Sequence, residues 1–210
     1  LSSAASDVYK RQGQTACKTA WMFKDNISSW TWKGFEGTTA NVDVYSSGDE
    51  VELFLNDKSL GRKPAGRENH FTASYEVPYE PGTLKAVAYQ KDRKLGEYEL
   101  STAKSVTKLK VCRVTENERN IAYIKIWLVD DNGTINSQEA EKRLLNASVV
   151  GNGVLEGFGT ANPSSEEDYF SDSVTTFDGS ALAAVRWKDV KSKEPAVLKV
   201  WTDDGCQVMI

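Results

Sequence analysis

One histidine, three cysteines and a scatter of carboxylates are the residues of this 210-residue chain whose types could do chemistry. A histidine acting as a base or a metal ligand needs partners at a fixed spacing. His70 has none; it stands just ahead of an alternating segment and reads as a surface or edge histidine. Cys17, Cys112 and Cys206 are far apart and odd in number, with no C-x-x-C pair. That excludes the usual zinc and redox spacings, and leaves three buried free thiols as the expectation.

The carboxylates offer neighbours rather than opposed pairs. Glycoside hydrolysis needs two carboxyl groups about 5–10 Å apart across a sugar, one of them held protonated by its surroundings. Glu166 with Glu167, and Asp49 with Glu50, lie in polar stretches that cannot supply such an enclosure. Asp130-Asp131-Asn132-Gly133 lacks the alternating oxygen ligands and distal Glu of a calcium loop, and reads as a turn. Gly151-Asn152-Gly153 is too short for a phosphate loop and leads into a strand. No catalytic residue, metal site or cofactor is therefore expected.

Aromatic residues remain. Six tryptophans are many for this length; they suit a large β core, and they also suit sugar platforms. Trp30 and Trp32 fall in an aromatic loop that includes Phe35, and Trp127 falls in a strand. These three are the candidate carbohydrate contacts, with Trp187 and Trp201 behind them. For the loop, packing in the core is the favoured reading.

The elements that must position these residues are strands. Val51, Leu53 and Leu55 alternate with Glu52 and Phe54, and Asn56-Asp57 follows as a tight turn into Lys58–Arg62. Gly61 marks a bulge or a close backbone approach. The flanking segments look built to pair with this hairpin: Ala40–Ser46 before it, and an alternating run of Phe71, Ala73, Tyr75 and Val77 after it. Leu84–Tyr89 and Leu95–Thr102 continue the pattern. After a reset near Thr102–Ser105 come Val106–Cys112, Ile121–Val129, Leu144–Gly151, Val154–Phe158, Ser180–Lys188, Ala196–Thr202 and Cys206–Ile210. Short strands with frequent turns and no convincing helix predict an all-β chain of two tandem β-sandwich domains. The net charge of −4 argues against nucleic acid or an anionic membrane as partner, and no apolar run reaches about 18 residues. Residues 1–12 resemble translated adaptor sequence and read as a non-native leader.

Three stretches carry a family resemblance: Ser29–Gly37, Val51–Arg62 and Val77–Tyr89. They resemble the carboxyl-terminal region of β-galactosidase-like enzymes of glycoside hydrolase family 2. Gly151-Asn152-Gly153, Gly157–Pro163 and Phe177-Asp178-Gly179 resemble the last immunoglobulin-like domain of that family. The family usually has Asn-Gly where this chain has Asn56-Asp57. The resemblance implies two immunoglobulin-like sandwiches that follow a catalytic barrel, with both catalytic glutamates of a retaining mechanism upstream.

The expected division is then a leader at 1–12, a remnant or linker from the preceding domain at 13–29, and sandwiches at 30–103 and 104–210. The expected role is a non-catalytic accessory module, inactive alone. Its expected partners are the barrel of the same parent chain, another subunit, and carbohydrate. A stand-alone carbohydrate-binding module and a generic immunoglobulin-like interaction protein are the alternatives. The resemblance implies a periplasmic or secreted bacterial setting; the sequence itself does not give the compartment.

Overall fold

A computed structural model describes residues 2–7, 26–114 and 120–210 of the chain. Cys17 and residues 13–25 of the expected linker lie outside the described residues. The chain divides into two compact units, 1–102 and 103–210.

In the first unit, β1 (Ser2–Asp7), β2 (Thr39–Tyr45) and β5 (Thr72–Pro78) form one antiparallel sheet, in the order β1-β2-β5. Its partner sheet is β4-β3-β6-β7, made of β3 (Glu50–Leu55), β4 (Lys58–Pro64), β6 (Thr83–Gln90) and β7 (Arg93–Ser101). Alternation explains the core. Val42 and Val44 of β2 with Ala73, Tyr75 and Val77 of β5 meet Val51, Leu53 and Leu55 of β3 with Leu84, Ala86 and Ala88 of β6. Two apolar sheet faces buried against each other make a sandwich.

Two sequence expectations change here. The hairpin β3-β4 pairs with β6, and not with its sequence neighbours β2 and β5, which form the opposite sheet. Phe71 is not a core residue of β5: its φ is +58°, its side chain is about half exposed, and the strand begins at Thr72. His70 and Phe71 are both left-handed and close the turn after Arg67–Asn69, which breaks the alternation before it reaches Phe71. The Asn56-Asp57 turn has φ of 50° and 63°, the two positive values of a type I′ hairpin. Gly61 does mark a bulge: the β3-β4 register shifts between Glu52 and Phe54, and Gly61 has φ +96° with open space where a side chain would stand.

The second unit repeats the plan. One sheet has the order β12-β10-β14-β15, with β10 (Leu144–Gly151), β12 (Ser173–Thr175), β14 (Ala196–Thr202) and β15 (Gln207–Met209). The other has the order β11-β13-β9-β8, with β8 (Lys108–Arg113), β9 (Ile121–Val129), β11 (Gly153–Gly159) and β13 (Ser180–Trp187). Ile124, Ile126, Phe158, Ala183, Leu145 and Val200 lie in the shared core. Cys112 corrects the expectation of buried thiols: it is exposed, because it shares the outward face of β8 with Lys108 and Lys110. Cys206 is half-buried, with its Sγ 3.4 Å from the Thr107 carbonyl oxygen. No helix among the described residues is long and apolar enough to cross a membrane.

Candidate functional site

The aromatic loop is built into the first unit. Trp30 is fully buried, and its indole Nε1 donates to the Glu80 carbonyl at 3.0 Å. Its ring meets Tyr79 edge-on, with centroids 5.1 Å apart. Tyr79 reaches back: its hydroxyl accepts from Trp32 N at 3.0 Å, and its carbonyl accepts from Gly37 N at 2.9 Å. Thr102 Oγ1 closes the set by donating to the Trp30 carbonyl at 2.7 Å. The stretches Ser29–Gly37 and Val77–Tyr89 are thus one joint of the fold. Trp30 presents no ring face to solvent in this unit, and its ring adds its area to the first unit's core. Trp32 is half-buried against the same core, with an indole N–H that is buried and has no hydrogen-bond partner among the described residues.

Trp127 differs. It lies on the outward face of β9, half-exposed, with Lys125 Nζ 5.2 Å from its ring centre. Lys110 and Ser180 stand beside it on the neighbouring strands. Trp187 and Trp201 are also half-exposed and also carry a cation near the ring, Arg113 at 5.1 Å and Lys199 at 5.5 Å. Trp30 and Trp32 belong to the first unit and Trp127 to the second, so the three candidates are not gathered within either sandwich.

The carboxylates are spent on structure or left in solvent. Asp130 is buried, and its two oxygens accept backbone N–H groups from Asn132 and Thr134 (both 2.9 Å to Oδ1) and from Lys104 (3.0 Å to Oδ2). Burial pushes its carboxyl up, and those backbone donors outweigh burial and hold it below the usual carboxylate range. Asp130 therefore pins a turn. Asp204 is held low as well, by the Thr202 hydroxyl and by Arg143, whose Nε is 2.8 Å away. Glu50 faces Arg62 at 3.3 Å in the open, and Glu167 accepts the Thr175 N–H at 3.0 Å on an exposed loop. No group of three or more His, Cys, Asp or Glu among the described residues could hold a metal ion.

Asn152 of Gly151-Asn152-Gly153 is buried. Its amide donates to the Asp189 carbonyl at 2.6 Å and its oxygen accepts Asp189 N at 2.9 Å. That stretch is a loop clamp, without a phosphate cradle.

One feature went unread in the sequence. A groove of about 490 Å³ lies against the outward face of β11, β13 and β9. Gly157, Ala184, Leu182, Val114, Tyr169 and Lys125 are among the residues that line it. The 160–172 loop folds back along β11, where Phe158 N donates to the Tyr169 carbonyl at 2.7 Å. The spacing Gly157-Phe158-Gly159, with Phe158 in the core, was the available signal: both glycines then face outward, where Tyr169 packs over Gly159 and Gly157 is left open.

The described residues form two antiparallel β-sandwiches that follow one another along the chain. Comparison with known proteins makes this specific. Residues 109–204 match the model described as glycoside hydrolase family 2 C-terminal domain 5, and residues 37–96 match a domain of unknown function, DUF4982. The chain belongs to the carboxyl-terminal region of glycoside hydrolase family 2.

It is 30% identical over 164 residues to the β-galactosidase BoGH2A of Bacteroides ovatus, a match covering 75% of this chain and 18% of that protein. It is 46% identical over 86 residues to a putative β-glucuronidase of Formosa agariphila, covering 40% of this chain and 8% of that protein. A crystal structure of a family 2 member from Bacteroides cellulosilyticus matches with TM-score 0.83 and 31% identity, over 99% of this chain and 28% of that one. A β-glycosidase from Bacteroides vulgatus matches with TM-score 0.76 and 26% identity, over 87% and 23%. The chain thus spans less than a third of each of these relatives.

Proposed function

We propose that this chain is a non-catalytic accessory part of a longer retaining β-galactosidase-like glycosidase, which packs on the barrel carrying both catalytic glutamates. One observation carries the reading: of the buried carboxylates, Asp130 is saturated by backbone N–H groups and Asp43 accepts from Ser74 and Asn26, while Glu50 is half-exposed beside Arg62 and Glu167 is exposed. Retaining hydrolysis needs two carboxyl groups about 5 Å apart across the scissile bond, one of them protonated at neutral pH, and a solvated surface supplies neither condition. The much greater length of the relatives supports a separate catalytic domain. Purified chain assayed on chromogenic β-galactosides and β-glucuronides is expected to show no turnover above buffer. Hydrolysis that survives repurification would overturn the reading.

A second reading, carbohydrate contact, is supported by the half-exposed rings of Trp127, Trp187 and Trp201; Trp127, paired with Lys110 and Ser180 on the neighbouring strands, is the one to test first. Galactoside titration that quenches tryptophan fluorescence, and ceases to do so in Trp127→Ala, would favour it. An unchanged spectrum would remove it.

A further inference from the structure

Beside the groove of the second unit stands Phe170, the most exposed large apolar side chain among the described residues, at 86%. It is held out by a pinned turn: Asp168 Oδ1 accepts Phe170 N at 2.9 Å, and the preceding Tyr169 is tied to β11 and lines the groove. The groove residues Val114, Leu182 and Tyr169 are themselves exposed, and contiguous exposed apolar surface marks interaction sites. The chemistry of knob and hole is complementary. Phe170 follows the exposed acids Glu166, Glu167 and Asp168. The groove is lined by Val114, Leu182, Tyr169 and Lys125, with Lys110 one strand further out. Neither lysine has a carboxylate within 4 Å among the described residues.

We propose that the groove receives Phe170 of a second copy of this chain. The two copies meet about a two-fold axis, each giving its Phe170 and taking the other's. A two-fold contact is self-complementary, and one small patch can bury both pairs when knob and hole lie side by side. They do, since Tyr169 lines the hole and its chain neighbour is the knob. The acidic run of one copy then faces the partner's Lys125 and the partner's Lys110. This surface is separate from the catalytic question and holds whether or not the accessory reading does.

Sedimentation of the full 210-residue chain, under reducing conditions because Cys112 is exposed, tests it. The expected result is a concentration-dependent rise toward twice the mass of the chain, weakened by salt because the facing charges are screened. Phe170→Ala removes the knob, and Gly157→Leu fills the hole. A Cβ on Gly157 meets only the Tyr169 carbonyl oxygen, at 3.5 Å, an ordinary contact. Each variant is expected to raise the dissociation constant at least tenfold while keeping the parent thermal unfolding curve. An equimolar mixture of the two retains one intact knob and hole, and is expected to associate more tightly than either variant alone. A chain that stays monomeric at every concentration overturns the proposal. So does a dimer that neither variant weakens, which would use another surface.

Discussion

Asn56 fills the space beside Gly82 that a side chain there would need. Its Oδ1 accepts the Thr83 N–H at 2.9 Å and its Nδ2 donates to the Pro81 carbonyl at 3.3 Å, which brackets the glycine from both sides. A Cβ on Gly82 would collide with that amide, and φ at Gly82 is +140°, a conformation closed to other residues. Gly82→Ala is therefore expected to cost about 2–4 kcal/mol in chemical denaturation, from backbone strain and a displaced amide. Asn56→Ala alone loses two hydrogen bonds and is expected to cost about 1–2 kcal/mol. The double variant should cost less than the sum, because removing the amide relieves the collision. Additive losses would mean that the two residues do not compete for the same space.

Alternation made the strands legible, but not which strand lies beside which. Val51, Leu53 and Leu55 announce a half-buried strand equally well beside β2 or beside β6, and only the three-dimensional order decides for β6. The same parity placed Cys112 with Lys108 and Lys110, so its exposure was readable, and the general tendency of thiols to be buried was the wrong guide. Trp30 and Trp127 are the same residue type with opposite fates. Composition does not tell them apart, whereas the Glu80 carbonyl waiting for an indole N–H does. β12 has three residues and was too short to register as a pattern. The groove escaped because it is formed by what Gly157 lacks and by a loop that returns from eleven residues further on.

Trp30 has two separable roles, area and a hydrogen bond. Trp30→Ala opens a large cavity beside Tyr79 and is expected to cost about 3–5 kcal/mol. Trp30→Phe keeps most of the apolar area and strands the Glu80 carbonyl, which is expected to cost about 1–3 kcal/mol. Thermal melts followed by near-ultraviolet circular dichroism would report both. A Trp30→Phe variant as stable as the parent would show that the hydrogen bond contributes little.

Asp57 occupies the second central position of the type I′ turn at φ 63°. The left-handed conformation is strained for a side chain and free for glycine. Asp57→Gly, which makes the Asn-Gly pair preferred in such turns, is expected to stabilise the first unit by about 0.5–1 kcal/mol. The gain is partly offset by the greater freedom of glycine in the unfolded chain. A loss of stability in urea denaturation would show that the Asp57 side chain contributes more than its backbone strain costs.

The carboxyl of Asp130 should set part of the acid limit of the second unit. Burial raises its pKa, and the N–H groups of Lys104, Thr134 and Asn132 lower it by more than burial raises it, so the folded value lies below the unfolded value of about 3.9. The unfolded chain then binds the proton more readily than the folded one. The stabilisation from Asp130 is complete above the unfolded pKa, and is lost as pH falls from there through the folded pKa. Asp204, also held low, adds to the same limb, though its side chain is half-exposed and screened. Asp130→Asn keeps an oxygen for the N–H groups of Asn132 and Thr134 but turns an NH2 toward the Lys104 N–H, donor against donor. It is expected to cost about 2–3 kcal/mol at pH 7. Between about pH 4 and pH 2 its stability should fall less steeply than that of the parent. Parallel curves for the two proteins over that range would show that Asp130 keeps its proton equilibrium on unfolding and does not anchor the turn through its charge.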